Sequence, residues 1–212
     1  MKGLLRKDWY MLLKYGRTYL LITVIFLASY VMGNNSFFFF GYPTITVSMW
    51  GISLTSYDER FHWDRYSDSL PVSRKQTVSA KYLLVGIMIL STAALTGIVS
   101  VIFACRLHTS PNETLYMALL LVGIGLTSAA LTMPCVFKLG TEKGRWVSLL
   151  ELAVTMALFF TAGALFFDDF LGDSSYSPEL PLQMMPLFAG IGLVLFILSW
   201  RLSIRFYERR EL

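Results

Sequence analysis

Apolar residues occur along this chain in six long runs separated by short polar segments. The runs cover about residues 18–33, 37–56, 82–105, 115–137, 146–167 and 182–203. Each is roughly the 17–25 residues that an α-helix needs to cross a bilayer. The polar segments between them are too short to fold as domains of their own. The pattern therefore predicts an all-α membrane protein whose six transmembrane helices form a single domain over residues 1–212.

The first 17 residues have an amphipathic pattern of their own. Two helical stripes run along this stretch, one mainly apolar with Leu5, Trp9, Leu12, Leu13 and Gly16, and one polar with Arg6, Tyr10, Lys14 and Arg17. This pattern is typical of a helix that lies in the membrane interface, where the lipid bilayer is its partner. The alternative is that the stretch simply extends the first span into the cytoplasm.

The distribution of charge predicts the orientation of the spans. Lys and Arg concentrate in the N-terminal arm, in the loops 57–81 and 138–145, and in the C-terminal tail. The loop between the last two spans instead carries the acidic residues Asp168, Asp169, Asp173 and Glu179. By the positive-inside rule, both termini are expected in the cytoplasm, which agrees with an even number of spans. The net charge of +4 is thereby assigned to topology, and no nucleic-acid partner is expected.

The sequence offers no set of residues suited to catalysis. The two histidines, His62 and His108, fall on opposite sides of the predicted membrane, so they cannot share a metal or serve one nucleophile. The segment KLGTEKGRW at 138–146 lacks the glycine spacing and hydroxyl of a phosphate-binding loop. We therefore expect a chain that is not an enzyme and holds no cofactor or metal of its own.

Glu151 is the one acidic residue well inside a predicted span. A carboxylate in lipid is costly unless it is paired or faces water, which makes Glu151 a candidate for a translocation path. The alternative is that it reaches the cytoplasmic interface, or pairs with Arg145 or Lys143.

The longest predicted cytoplasmic loop, residues 57–81, has internal order. Trp63, Tyr66 and Leu70 are spaced to share one face of a short helix that Pro71 would end. Ser73 and Gln76 fit a capping box that opens the next helix. Aromatic and arginine side chains on such a helix are typical of a protein-docking surface. The alternative is that the aromatic residues anchor the loop in the lipid interface.

This loop and the opening MKGLLRKDWYMLLKYGR resemble the small permease subunits of the ABC-2 type family of ATP-binding-cassette transporters. The residues that carry the resemblance in the loop are Tyr57, Asp58, Glu59, Trp63, Asp64, Arg65, Tyr66, Ser69, Leu70, Pro71, Val72, Ser73, Arg74, Lys75, Lys81, Tyr82 and Leu83. They make a specific match over about a tenth of the chain.

The resemblance implies a half-transporter without an ATPase of its own. It would pair with a second copy or a paralogue and recruit two separately encoded ATPase subunits, which bind ATP and Mg. The short loop helix would be a coupling helix, and the residues expected to contact the ATPase are Asp58, Glu59, Arg60, Trp63, Asp64, Arg65, Tyr66 and Leu70. Such a protein would export an amphipathic or apolar cargo, with a peptide favoured, from the bacterial cytoplasmic membrane.

Two other classes of function remain open at this point. An ion-coupled carrier would need charges or broken helices at the bilayer midplane, and only Glu151 qualifies. A non-transporting immunity or sensor subunit could have the same sequence pattern. Stimulation of a partner ATPase without movement of cargo would favour that second class.

Overall fold

The computed structural model describes residues 2–32, 37–67, 72–102, 111–144, 146–147, 149–154 and 185–209, and every regular element among them is a helix. The helices are α1 (Lys2–Tyr15), α2 (Arg17–Val31), α3 (Phe37–Ser48), α4 (Trp50–Arg60), α5 (Trp63–Ser67), α6 (Arg74–Ile102), α7 (Pro111–Leu139) and α8 (Met185–Glu208). Residues 141–144 and 149–154 are also helical. The predicted all-α class is confirmed for the described part of the chain.

The chain bends sharply between α1 and α2. The axes of Gly3–Tyr15 and Arg17–Ser29 differ by 62°. Gly16 lies at the bend against the ring of Trp50, where a Cβ atom would come within 2.9 Å of the ring carbon Cζ2. Glycine therefore lets the bend pack directly onto α4. The N-terminal helix is set at an angle to the first predicted span, as an interfacial helix would be.

Helices α3 and α4 follow one another along α7. Met49, between them, keeps helical dihedral angles (φ −72°, ψ −7°), so no loop separates the two helices. Their contacts with α7 advance together: Thr44 packs on Gly125, the Ser48 hydroxyl donates to Ser128 at 2.8 Å, and Gly51 packs on Met133. The two helices therefore run in the same direction as α7, and together they contain the residues of the predicted second span.

The core lies where α6 meets α7 and α8. Val78, Val85, Ile89, Met133 and Phe137 are almost completely buried there. The Tyr82 hydroxyl lies 2.7 Å from both Ser199 and Ser203 of α8. These contacts hold α6 against α8 by apolar packing and by interhelical hydrogen bonds.

Helices α7 and α8 touch backbone to backbone. A Cβ atom at Gly192 would lie 2.8 Å from the carbonyl oxygen of Gly123, so glycine is required for this approach. Further along, the rings of Phe137 and Tyr207 lie 5.6 Å apart. Because both contacts advance along both helices in the same order, α7 and α8 are parallel.

Three described helical segments are long and apolar enough to cross a membrane: Arg74–Val99, Ala118–Leu139 and Pro186–Glu208. The bent pair Gly3–Tyr15 and Arg17–Ser29 would make a fourth. The predicted fifth span, 146–167, and the acidic loop after it lie mostly outside the described residues. The count of six spans therefore stays a prediction.

Candidate functional site at the end of α4

The α4–α5 corner, residues 57–67, occupies the predicted loop after the second span. Helix α4 ends at Arg60, and His62 adopts a left-handed conformation (φ 51°) that turns the chain into α5. Helix α6 then begins at Arg74, where the Gln76 amide donates to the Ser73 hydroxyl at 3.3 Å. The start of the short helix and the Ser73 cap therefore lie where the sequence predicts them, while Leu70 and the predicted stop at Pro71 lie outside the described residues.

Asp58 is the centre of a buried ion network in this corner. Its side chain is completely buried. One carboxylate oxygen accepts from the Lys7 ammonium of α1 at 2.6 Å, and the other lies 2.6 Å from the Lys81 ammonium of α6. Because both partners are charged and close, they offset much of the free-energy cost of removing this carboxylate from water.

Lys7 and Asp8 extend the network on the α1 side. The Lys7 ammonium lies 3.0 Å from the Asp8 carboxylate and 4.2 Å above the centre of the Trp63 ring in α5. Burial raises the pKa of Asp8 above its ordinary value, while the charges of Lys81 and Lys7 act in the opposite direction. Two lysines thus face two aspartates, and the network is neutral as a whole.

The residues on either side of Asp58 reach two other parts of the chain. The Tyr57 ring stacks on Tyr15 of α1, with centroids 4.5 Å apart. The Glu59 carboxylate accepts hydrogen bonds from the amide and the hydroxyl of Thr141, which begins the helical residues after Gly140. A carboxylate at a helix start is favoured by the helix dipole. Tyr57, Asp58 and Glu59 therefore hold α1, α6 and the 138–145 loop together.

The predicted ATPase-contact residues divide into two groups. Asp58 and Glu59 are engaged by other parts of this chain, while Arg60 and Tyr66 are exposed and Trp63 is half-buried. The side chains of Asp64 and Arg65, and the whole of Leu70, lie outside the described residues. A contact between this set and an ATPase stays a prediction.

Lys7, Asp8, Lys81 and Thr141 are site residues that the sequence analysis missed. It assigned Lys7 to topology, and Lys81 to topology and to the family resemblance of the loop. One signal was present in the sequence: Asp8 lies four residues from both Leu4 and Leu12, and all three side chains are buried. An acidic residue on the buried row of an amphipathic helix indicates a partner of opposite charge.

Two further expectations concern Glu151 and a metal site. Glu151 is buried, and its role in a translocation path stays a prediction. The described residues include no group of three or more His, Cys, Asp or Glu side chains placed to hold a metal ion.

Comparison with protein families decides which family the chain represents. Residues 3–208 match the family described as ABC-2 family transporter protein, which is nearly the whole chain. The chain belongs to the ABC-2 transporter family. The resemblance of the loop 57–83 and of the N-terminal segment is thereby confirmed. No curated protein and no solved structure matched the chain in the two other comparisons. Family membership and the apolar helices identify an integral membrane protein of the ABC-2 permease type.

Proposed function

We propose that this ABC-2 protein is the membrane subunit of an ATP-binding-cassette exporter. It would move an amphipathic or apolar cargo, with a peptide favoured, using ATP hydrolysed with Mg by a separate subunit. The observation that carries this proposal is the α4–α5 corner. Exposed aromatic and arginine side chains lie there next to Asp58, which buried ion pairs join to α1 and α6.

The exposed part of the corner has the composition of a protein-docking surface. Phe61 and Tyr66 are 59% and 58% exposed, and Arg60 is exposed beside them. Aromatic and arginine residues supply most of the binding free energy at protein interfaces. We therefore place the ATPase contact on Arg60, Phe61 and Tyr66, with Trp63 behind them.

The inner part of the corner suits the transmission of movement. Tyr57, Asp58 and Glu59 join three elements by one stacked ring pair, two ion pairs and the Thr141 hydrogen bonds. A displacement of α5 would thus reach α1, α6 and the loop before the fifth predicted span together. In this proposal Asp58 and Glu59 act on transport through these elements rather than through contact with the ATPase.

The complete complex in this proposal contains two permease chains and two ATPase subunits. The parallel direction of α7 and α8 supports a six-span chain, because the polypeptide must cross the membrane once between them if both helices span it. Both termini and the corner would then lie in the cytoplasm, where ATP is available to the ATPase.

Co-purification with an ABC ATPase tests the proposed contact. The ATPase encoded beside the gene is co-expressed with the wild-type chain, with Tyr66→Ala, and with Tyr10→Ala as a matched control. Tyr10 is also exposed, at 64%, but lies on α1, outside the corner residues 57–67. We expect Tyr66→Ala to lower the amount of bound ATPase at least tenfold, as loss of about 1.4 kcal/mol of binding free energy would. Equal binding by both variants would contradict the contact at Tyr66.

A sensor or immunity subunit would give a different result. Such a chain would bind the ATPase and change its hydrolysis rate, but reconstituted vesicles would move no cargo. ATP-dependent movement of a peptide by the reconstituted complex would exclude that alternative.

A further inference from the structure

The acidic residue of α1 and most of its basic residues lie on different faces of the helix. Its one acidic residue, Asp8, is buried in the ion network together with the apolar residues Leu4 and Leu12. Lys7 is partly buried beside Asp8 and pairs with it. The acidic charge of α1 is therefore neutralised inside the protein.

The opposite face of α1 is exposed and carries cations and large aromatic or aliphatic side chains, with no acidic residue among the described ones. Its members are Arg6, Trp9, Tyr10, Leu13, Lys14 and Arg17, the last at the start of α2. Trp9 and Leu13 are both nearly half exposed although they are apolar. Exposed apolar groups beside three positive charges fit an environment that is apolar on one side and anionic on the other.

We propose that this face of α1 binds the anionic headgroups of phospholipids, with Trp9 and Leu13 inserted among the acyl chains. The 62° bend at Gly16 sets α1 at an angle to α2, as a helix in the interfacial plane requires. Basic residues near a bilayer surface attract anionic lipid, and aromatic rings favour the headgroup region. Charge complementarity therefore selects an anionic over a zwitterionic lipid.

Native mass spectrometry of the full chain tests this inference without an ATPase. Phosphatidylglycerol and phosphatidylcholine are offered at equal concentration in detergent to the wild type and to Arg6→Gln/Lys14→Gln/Arg17→Gln. The matched control, Arg201→Gln/Arg205→Gln/Arg209→Gln, removes the same charge from exposed arginines at the end of the chain's last helix. We expect the α1 variant to bind phosphatidylglycerol about tenfold more weakly and the control to lose much less.

A second measurement keeps the test valid if the triple variant folds poorly. On the wild type, raising the salt concentration should weaken phosphatidylglycerol binding and leave phosphatidylcholine binding unchanged. Equal loss in the two triple variants, or no dependence on salt, would overturn the proposal. So would an α1 variant that binds phosphatidylglycerol as well as the wild type does, because the cations of this face would then not hold the headgroup. The result is independent of the proposed transport function, since lipid binding is measured on this chain alone.

Discussion

The Asp58 carboxylate lies between two lysines that come from different helices, Lys7 from α1 and Lys81 from α6. Lys81 is as buried as Asp58, whereas Lys7 is partly exposed. A buried ion pair contributes little net stability compared with apolar residues of similar size, but removing one member leaves the other charge without compensation. Substitution of one member of the network is therefore expected to lower the free energy of unfolding more than substitution of both members of a pair.

Substitution of both members of the Asp58–Lys81 pair should be tolerated better than substitution of Asp58 alone. Asp58→Leu removes the carboxylate that lies 2.6 Å from the buried Lys81 ammonium and should lower the free energy of unfolding by about 3–5 kcal/mol. Lys81→Met should cost less, because Asp58 keeps Lys7 at 2.6 Å. The double variant should regain much of the loss, since the Lys7–Asp8 pair at 3.0 Å remains. Thermal unfolding in detergent measures all three, and additive losses would contradict a coupled pair.

The raised pKa of Asp8 predicts a dependence on pH. A carboxyl whose pKa is higher in the folded state than the unfolded value of 3.8 binds protons more tightly when folded. Its contribution to stability is therefore full below that value and is lost as the pH rises through the folded pKa. Asp8→Asn removes this loss, so the variant should gain stability relative to the wild type as the pH rises above 3.8. A stability difference that moves the other way with pH would contradict a raised pKa.

At the scale of helices, small residues decide how closely the elements approach. Gly16, Gly123 and Gly192 each allow a backbone to meet a ring or another backbone, which larger residues would prevent. Glycine in a helix is otherwise unfavourable, by about 1 kcal/mol relative to alanine. Its presence at contacts between α7 and α8 therefore indicates packing rather than local helix preference.

Alanine at Gly192 should separate α7 from α8. Its Cβ would meet the Gly123 carbonyl oxygen at 2.8 Å, and a backbone atom cannot move aside without shifting the helix. We expect a loss of about 1–3 kcal/mol in the free energy of unfolding. Gly86→Ala is the matched control, because its Cβ would make an ordinary contact with the Phe196 ring at 3.8 Å. Melting temperatures in detergent compare the two, and equal tolerance would contradict close packing at Gly192.

Local patterns predicted several elements because short-range chemistry fixes them. Hydrophobic runs located α6, α7 and α8, and the Ser73 spacing located the start of α6. The ion network could not be predicted in this way, because Lys7, Asp58 and Lys81 are distant in sequence and meet only in the packed corner. The buried position of Asp58 likewise depends on tertiary packing, whereas the family resemblance placed Asp58 only among the residues expected to contact the ATPase.

At the scale of the whole molecule, the described helices form a membrane domain with one structured polar corner. The corner joins α1 to α4, α5 and α6, and the family match covers residues 3–208. A rigid junction of this kind suits a subunit that receives movement from outside the membrane.

The stoichiometry of the complex with its ATPase tests this account most directly. The wild-type chain is co-expressed with the neighbouring ABC ATPase, purified in detergent, and its mass is measured by light scattering together with ATP hydrolysis. The account predicts a stable complex of two permease chains and two ATPase subunits that hydrolyses ATP. A permease chain that purifies without the ATPase, in lipid or in detergent, would contradict it.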